Sequence, residues 1–177
     1  MNRYLKMICT AVILSCVLSS CSQGENGIDT DTSASDFDYH FSFLELSEEK
    51  RNILEQNPID AQYTQDEMPY ATMDIVRHEE KYVEFWNVEI ENALSILREN
   101  LSQETFSYIE AAQENWQAYM SNEIPTIRGV QTETDGTGTI IYILESEKSL
   151  NYTRQRALEL IEYCVKVTGT YDFVYVP

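Results

Sequence analysis

The strongest constraint on this chain is one spacing. Phe106, Ile109, Ala112, Trp116 and Tyr119 recur at steps of three and four, around the run Ala111-Ala112-Gln113-Glu114-Asn115-Trp116-Gln117-Ala118-Tyr119. At 3.6 residues per turn these positions share one face of a helix. The spacing predicts an amphipathic helix turned toward a core, with Trp116 as its largest apolar surface. Burying such a ring outweighs any exposed ion pair. Gln113 lies beside that face, where its amide is placed to hydrogen-bond across to a partner helix.

Two further long patterns flank this one. Val76, Val83, Trp86 or Asn87, Ile90, Leu94, Leu97 and Leu101 form a stripe that predicts a helix over 71–100. Glu79, Glu80, Glu84, Glu89 and Glu91 are expected on or near its other faces. Ser102, with Gln103 and Glu104 behind it, caps the next helix, which is expected to end near Asn122 because Pro125 follows. The short connection makes these two an antiparallel hairpin. Residues 126–139, with Gly129, Gly136 and Gly138, read as a loop. It is not a phosphate cradle, since no Lys-Ser/Thr follows and no strand precedes it.

From Thr139 a third long helix is expected, through Ile140, Ile141 and Leu144, a polar middle (Glu147, Lys148, Asn151, Arg154, Gln155), then Leu158, Ile161 and Val165. Gly169 suits its C-cap. Arg154 or Arg156 is expected to reach a carboxylate on the first long helix. Upstream, Ser47 caps a short helix to about Gln56, Asn57-Pro58 ends it, and Thr64-Gln65-Asp66-Glu67 has the form of a capping box. The aromatic tail from Tyr171 to Val176 alternates, and it is expected to pack with the Tyr39–Leu46 arm, a short strand pair being one form. The fold class is therefore all-α: a small bundle of three long helices plus a short N-terminal helix, with extended N- and C-terminal arms.

The first residues read as an export signal. Arg3 and Lys6 precede an apolar run from Met7 to Leu18 that is short for a membrane span. The closing Leu18-Ser19-Ser20-Cys21 resembles a bacterial lipobox. That resemblance implies cleavage before Cys21, lipidation of its thiol and acylation of the new amino group, palmitate included. Several acyl chains make a stable anchor where one does not. The expected organisation is a signal peptide over 1–20, a tether rich in Ser, Gly, Asp and Thr over 21–38, a lead-in over 39–69, the helical domain over 70–168 and a tail over 169–177. The expected location is the cell membrane or outer membrane, on the extracytoplasmic side.

Charge narrows the partners. The chain carries a formal −18, and losing Arg3 and Lys6 with the leader leaves ten basic residues against thirty acids, or −20. Such a field repels nucleic acid and favours cationic proteins. An ordinary solubility role accounts for the same composition. Beyond the leader and Cys21 only Cys164 remains, so no internal disulfide is expected. Cys164 sits with Ile161 and Val165 and reads as a small buried hydrophobe. No cofactor, metal site or catalytic set stands out. The histidines are His40 and His78. Asp74 and His78 lie one helical turn apart, with Glu79 adjacent to the histidine, but no third well-spaced ligand appears.

Three pieces together resemble a known family. They are Glu89-Ile90-Glu91 with Leu94, Leu97 and Leu101; Ile109 with Ala112-Gln113, Trp116 and Tyr119; and Gly136-Thr137-Gly138-Thr139 with Thr153-Arg154-Gln155-Arg156-Ala157-Leu158-Glu159-Leu160. In that order they are similar to the lysozyme inhibitor LprI-like N-terminal domain family, small helical domains of exported or lipid-anchored bacterial proteins. The resemblance covers about residues 75–165. It implies a binding module, with lysozyme or another cationic protein as partner; the lack of a catalytic set makes an enzyme the less expected reading. An envelope scaffold with another partner is the alternative. Ile109, Ala112, Gln113, Trp116, Tyr119, Arg154, Arg156 and Leu160 carry the pattern and are read as structural. A binding surface is expected in the polar residues of the hairpin and the Gly-rich loop. The chain departs from the family at Glu91, Leu94 and Met120-Ser121. It also lacks the cysteines expected near Ile124 and near Lys148 or Ser149, which implies a domain held by packing in place of a bridge.

Overall fold

The computed structural model describes residues 45–136 and 138–177, which fall in one compact unit. The expected leader, the Cys21 lipidation site, the tether and most of the N-terminal arm lie outside the described residues. Five helices follow one another: α1 (Glu48–Glu55), α2 (Pro58–Gln65), α3 (Thr72–Asn100), α4 (Gln103–Asp135) and α5 (Ile140–Thr168). There is no strand among the described residues. The fold is all-α, with three long helices as expected and one more short helix. No helix among the described residues is long and apolar enough to cross a membrane.

The middle of the bundle is α5. One side packs along α3 and another along α4, while α1 and α2 close the remaining side. The Arg154 guanidinium lies over the Trp86 ring and the Cys164 thiol donates to the Ala93 carbonyl, so α3 and α5 run parallel. Gln113 meets Arg156, Tyr119 meets Tyr152 and Arg128 meets Glu145, so α4 runs antiparallel to α5. The core is Tyr82, Trp86, Ile90, Ala93 and Leu97 of α3 against Ala157, Leu158, Leu160, Ile161, Cys164 and Val165 of α5. Cys164 is buried, and burial pushes its thiol up to about 12.

Between Trp86 and Asn87 the structure selects Trp86; Asn87 is exposed. Two glutamates expected on outer faces are in the core instead. Glu79 is buried and accepts from the Tyr63 hydroxyl at 2.8 Å. Glu89 accepts from the Tyr171 hydroxyl at 2.7 Å and from the Tyr175 backbone N–H at 2.8 Å. Buried carboxylates need such donors, and those donors come from segments that periodicity within α3 does not report. The same contacts place the tail along α3, with Tyr175 on the Phe85 ring at 4.6 Å and no strand among its residues; the expected pairing with the Tyr39–Leu46 arm falls largely outside the described residues.

Pro58 starts a helix as well as ending one. It occupies the first turn of α2, where its missing N–H costs nothing, and Asn57 caps that turn by accepting from the Asp60 N–H. The capping box expected at Thr64–Glu67 is absent, because Thr64 and Gln65 close α2 and Asp66 follows it. Ser102 caps α4 as expected, accepting from the Thr105 N–H. Pro125 does not stop α4, which continues to Asp135, so the expected loop shrinks to a short joint after it. The proline removes one intrahelical donor. Nearby, Ser121, Asn122 and Thr126 donate to the carbonyls of Gln117, Ala118 and Asn122. Gly169 caps α5 in the left-handed conformation at φ 90°, as expected.

His78 sits under this framework. Its side chain is 9% exposed, flanked by the Tyr63 and Tyr82 rings, with Asp66 at 3.8 Å and Glu79 at 4.0 Å. Both ring nitrogens are buried without a hydrogen bond. The Asp74 carboxylate, a turn away, is bonded to Arg77 instead. Burial, then Lys81, holds the imidazole below its ordinary value, with Asp66 opposing them. The unfolded chain therefore takes up this proton first. The contribution of a neutral His78 is present above the ordinary histidine range and is lost as pH falls through the lowered value. Glu79, raised by burial, acts in the opposite sense. Comparing His78→Phe with the parent isolates the histidine: chemical denaturation should show the variant gaining relative stability as pH drops from about 7 to about 5. A constant difference across that range contradicts this account of His78.

Candidate protein-binding face

α4 is the exposed helix of the bundle. Its inward positions Phe106, Ile109, Gln113, Trp116, Met120, Ile124 and Ile127 recur at steps of three and four, yet only Phe106 and Gln113 are buried. The seam with α5 is held largely by polar contacts. Arg156 Nε donates to Gln113 Oε1 at 2.8 Å, so the glutamine does bridge two helices. The Tyr119 and Tyr152 hydroxyls lie 3.4 Å apart. Arg128 makes a two-pronged contact with Glu145 at 2.8 and 2.7 Å.

The residues of the family pattern fall at several places. Gln113, Trp116 and Arg156 lie in the seam, and Leu160 is fully buried. Ile109 is half-buried, while Ala112 and Tyr119 are exposed at its edge. Arg154 turns the other way and bonds both carboxylate oxygens of Asp60 at 2.8 and 2.6 Å. The expected partner on the first long helix is thus replaced by one on α2. Arg156 finds Glu159 on its own helix.

The positions where the resemblance places cysteines fall on the two sides of this seam. Ile124 and Ser149 are half-buried and lie between the Tyr119–Tyr152 and Arg128–Glu145 contacts. Ile124→Cys with Ser149→Cys is expected to form a disulfide in air-oxidised protein and to raise stability by about 2 kcal/mol, below the full chain-entropy value. Thiol titration and thermal melting check this. Free thiols, or a lowered melting point, contradict the seam register.

The outer side of α4 near its junction with α3 is acidic. Glu99, Glu104 and Glu114 are exposed there, together with Glu110, whose partner is Arg98 at 3.4 Å. Arg98 also stacks on Phe106, 5.0 Å from the ring centroid. Glu104 and Glu114 are about 15 Å apart along the helix. Tyr108, 68% exposed, lies one turn from Glu104 on the flank of α4 that faces Tyr163 and Val167 of α5, away from Glu110. Elsewhere Arg77, Lys81, Arg128, Arg154 and Arg156 face carboxylates within the molecule. Asp66 is the most heavily bonded of these: donors from Lys81, then Tyr82 and Gln62, hold it well below the usual carboxylate range. Internal pairing therefore uses up cations and leaves the α3–α4 corner negative. An acidic face with an exposed tyrosine at its edge has the composition of a protein-docking site, with electrostatic attraction to steer a partner and an aromatic to contact it. Sequence reasoning pointed to the hairpin but did not single out Tyr108. Tyr108 lies on α4 beyond the apolar stripe, which is the one signal that marks it.

A family model described as Lysozyme inhibitor LprI matches residues 63–160, from the end of α2 into α5 and more than half of the chain. No curated protein and no solved structure gives a significant match.

Proposed function

Because the chain belongs to the lysozyme inhibitor LprI family, we propose that it is an extracytoplasmic binding protein that captures a cationic, lysozyme-like protein. The observation that carries this reading is the acidic α3–α4 corner, with Tyr108 exposed at its edge, on a chain of net charge −18. Opposite charge accelerates encounter, and a desolvated aromatic supplies specificity once contact is made. In this reading the protein works by occupying its partner and performs no chemistry.

The proposal includes an anchor. Cleavage before Cys21 and lipidation of its thiol would hold the helical body at a membrane surface through the segment that precedes Glu45. The anchor is tested by feeding cells labelled palmitate: the full-length chain takes up label and the Cys21→Ser variant does not. Label on both, or on neither, contradicts it. Capture is tested by calorimetric titration of residues 22–177 with hen-type lysozyme. Binding that persists at physiological salt supports a built interface. Binding confined to low salt indicates bulk attraction alone and contradicts it.

A further inference from the structure

Between the first half of α4 and the last turns of α5 lies an open groove of about 390 Å³. Tyr108 and Ile109 of α4 and Tyr163 and Val167 of α5 give it apolar walls. Tyr108 and Val167 are exposed, so this apolar surface faces water. The tyrosine belongs to two features at once. It edges the acidic corner, one turn from Glu104, and it walls the groove. Two cations complete the lining, Arg156 and Lys166. The Arg156 Nη2 is buried with no hydrogen-bond partner, and the Lys166 Nζ donates to the uncharged carbonyl of Glu45 at 2.9 Å. The groove is therefore apolar with positive charge in its lining, while the helix surface beside it is negative.

We propose that this groove receives an apolar side chain of the captured cationic protein, presented beside a lysine or arginine that pairs with Glu104. The inference rests on the capture reading and adds the chemistry of the contact. Charge selects the occupant. A basic side chain does not enter, because Arg156 and Lys166 repel it and it would lose its water without a counter-charge. An acidic one is turned away by the corner it must pass. A neutral apolar side chain has neither cost, and its burial removes apolar surface from water on both molecules. The neighbouring base has its own place. Glu104 and Tyr108 are about 6 Å apart along α4, a separation that two side chains on one face of an extended segment or a helix span. A second copy of the chain is a poor occupant, since it brings a charge of −18 against −18. The contact thus has the form of a productive interface: an apolar anchor seated in a pocket, with ion pairs at its rim.

The test fills the groove and leaves every charge in place. Ala112 is exposed in its lining, so Ala112→Trp lays an indole into the space. Ala118→Trp, exposed and outside the lining, is the control. Calorimetric titration uses residues 22–177, which include the whole compact unit, with hen-type lysozyme at low and physiological salt. Ala112→Trp should bind at least about ten-fold more weakly than the parent, with the same salt dependence and a less negative heat-capacity change. Ala118→Trp should match the parent. Val167→Ala trims the opposite wall without adding bulk and should weaken binding about three-fold, which keeps the test independent of how the tryptophan variant folds. Ala112→Trp and Val167→Ala that bind as tightly as the parent overturn the groove and leave capture standing. A parent that does not bind overturns both readings. A parent that sediments as a dimer, and becomes monomeric on Ala112→Trp, overturns the proposal and gives the groove to a second copy.

Discussion

Trp86→Ala is expected to remove about 4 kcal/mol of stability, the upper range for a buried aromatic reduced to a methyl group. Trp86 is 1% exposed at the centre of the α3–α5 seam, beside Ile90 and under the Arg154 guanidinium. A domain of this size holds about 5–15 kcal/mol in total, so the variant should melt well below the parent or fail to fold at 37 °C. Asn87→Ala, one residue along and exposed, should stay within about 0.5 kcal/mol of the parent. Denaturant unfolding of the pair decides between them. Equal losses would mean that the α3 stripe is rotated from the position described.

The second large effect concerns the acidic corner. Reversing Glu104, Glu110 and Glu114 together to lysine is expected to weaken capture of a lysozyme-like partner about 100-fold at low ionic strength, and less at high salt. All three side chains are at the surface, and among the described residues the ion pair disturbed is Glu110 with Arg98, which is itself exposed. Stability should therefore be nearly unchanged. Tyr108→Ala should lower affinity with little change in salt dependence, because it removes contact area and not charge. Calorimetry on the two variants separates the contributions. If charge reversal leaves affinity intact, the corner is not the binding face.

The long helices were legible because α3, α4 and α5 each carry their own periodic stripe, and periodicity is a local property. Ser102 and Gly169 were legible for the same reason, as caps act within one turn. Glu79, Glu89 and Arg154 were not. Their partners Tyr63, Tyr171 and Asp60 lie on α2 or the tail, far away in sequence. A glutamate on a helix reads as a solvated face until a distant donor is placed against it. Pro58 and Pro125 misled in one direction, since each was given only its terminating role. Pro58 sits at a first turn, where no N–H is needed. Around Pro125 the side chains of Ser121, Asn122 and Thr126 donate to neighbouring carbonyls. As for the binding face, Gln113 was correctly placed to bridge helices, but the negative corner depends on which acids are left after internal pairing. Composition gives the surplus of acids; only the packed structure shows where it is not neutralised.

The most direct measurement is the muramidase activity of hen-type lysozyme titrated with residues 22–177 at physiological salt. The account predicts saturable inhibition that reaches completion near equimolar protein and is lost in the Glu104, Glu110 and Glu114 charge-reversal variant. Full enzyme activity in the presence of excess protein would contradict it.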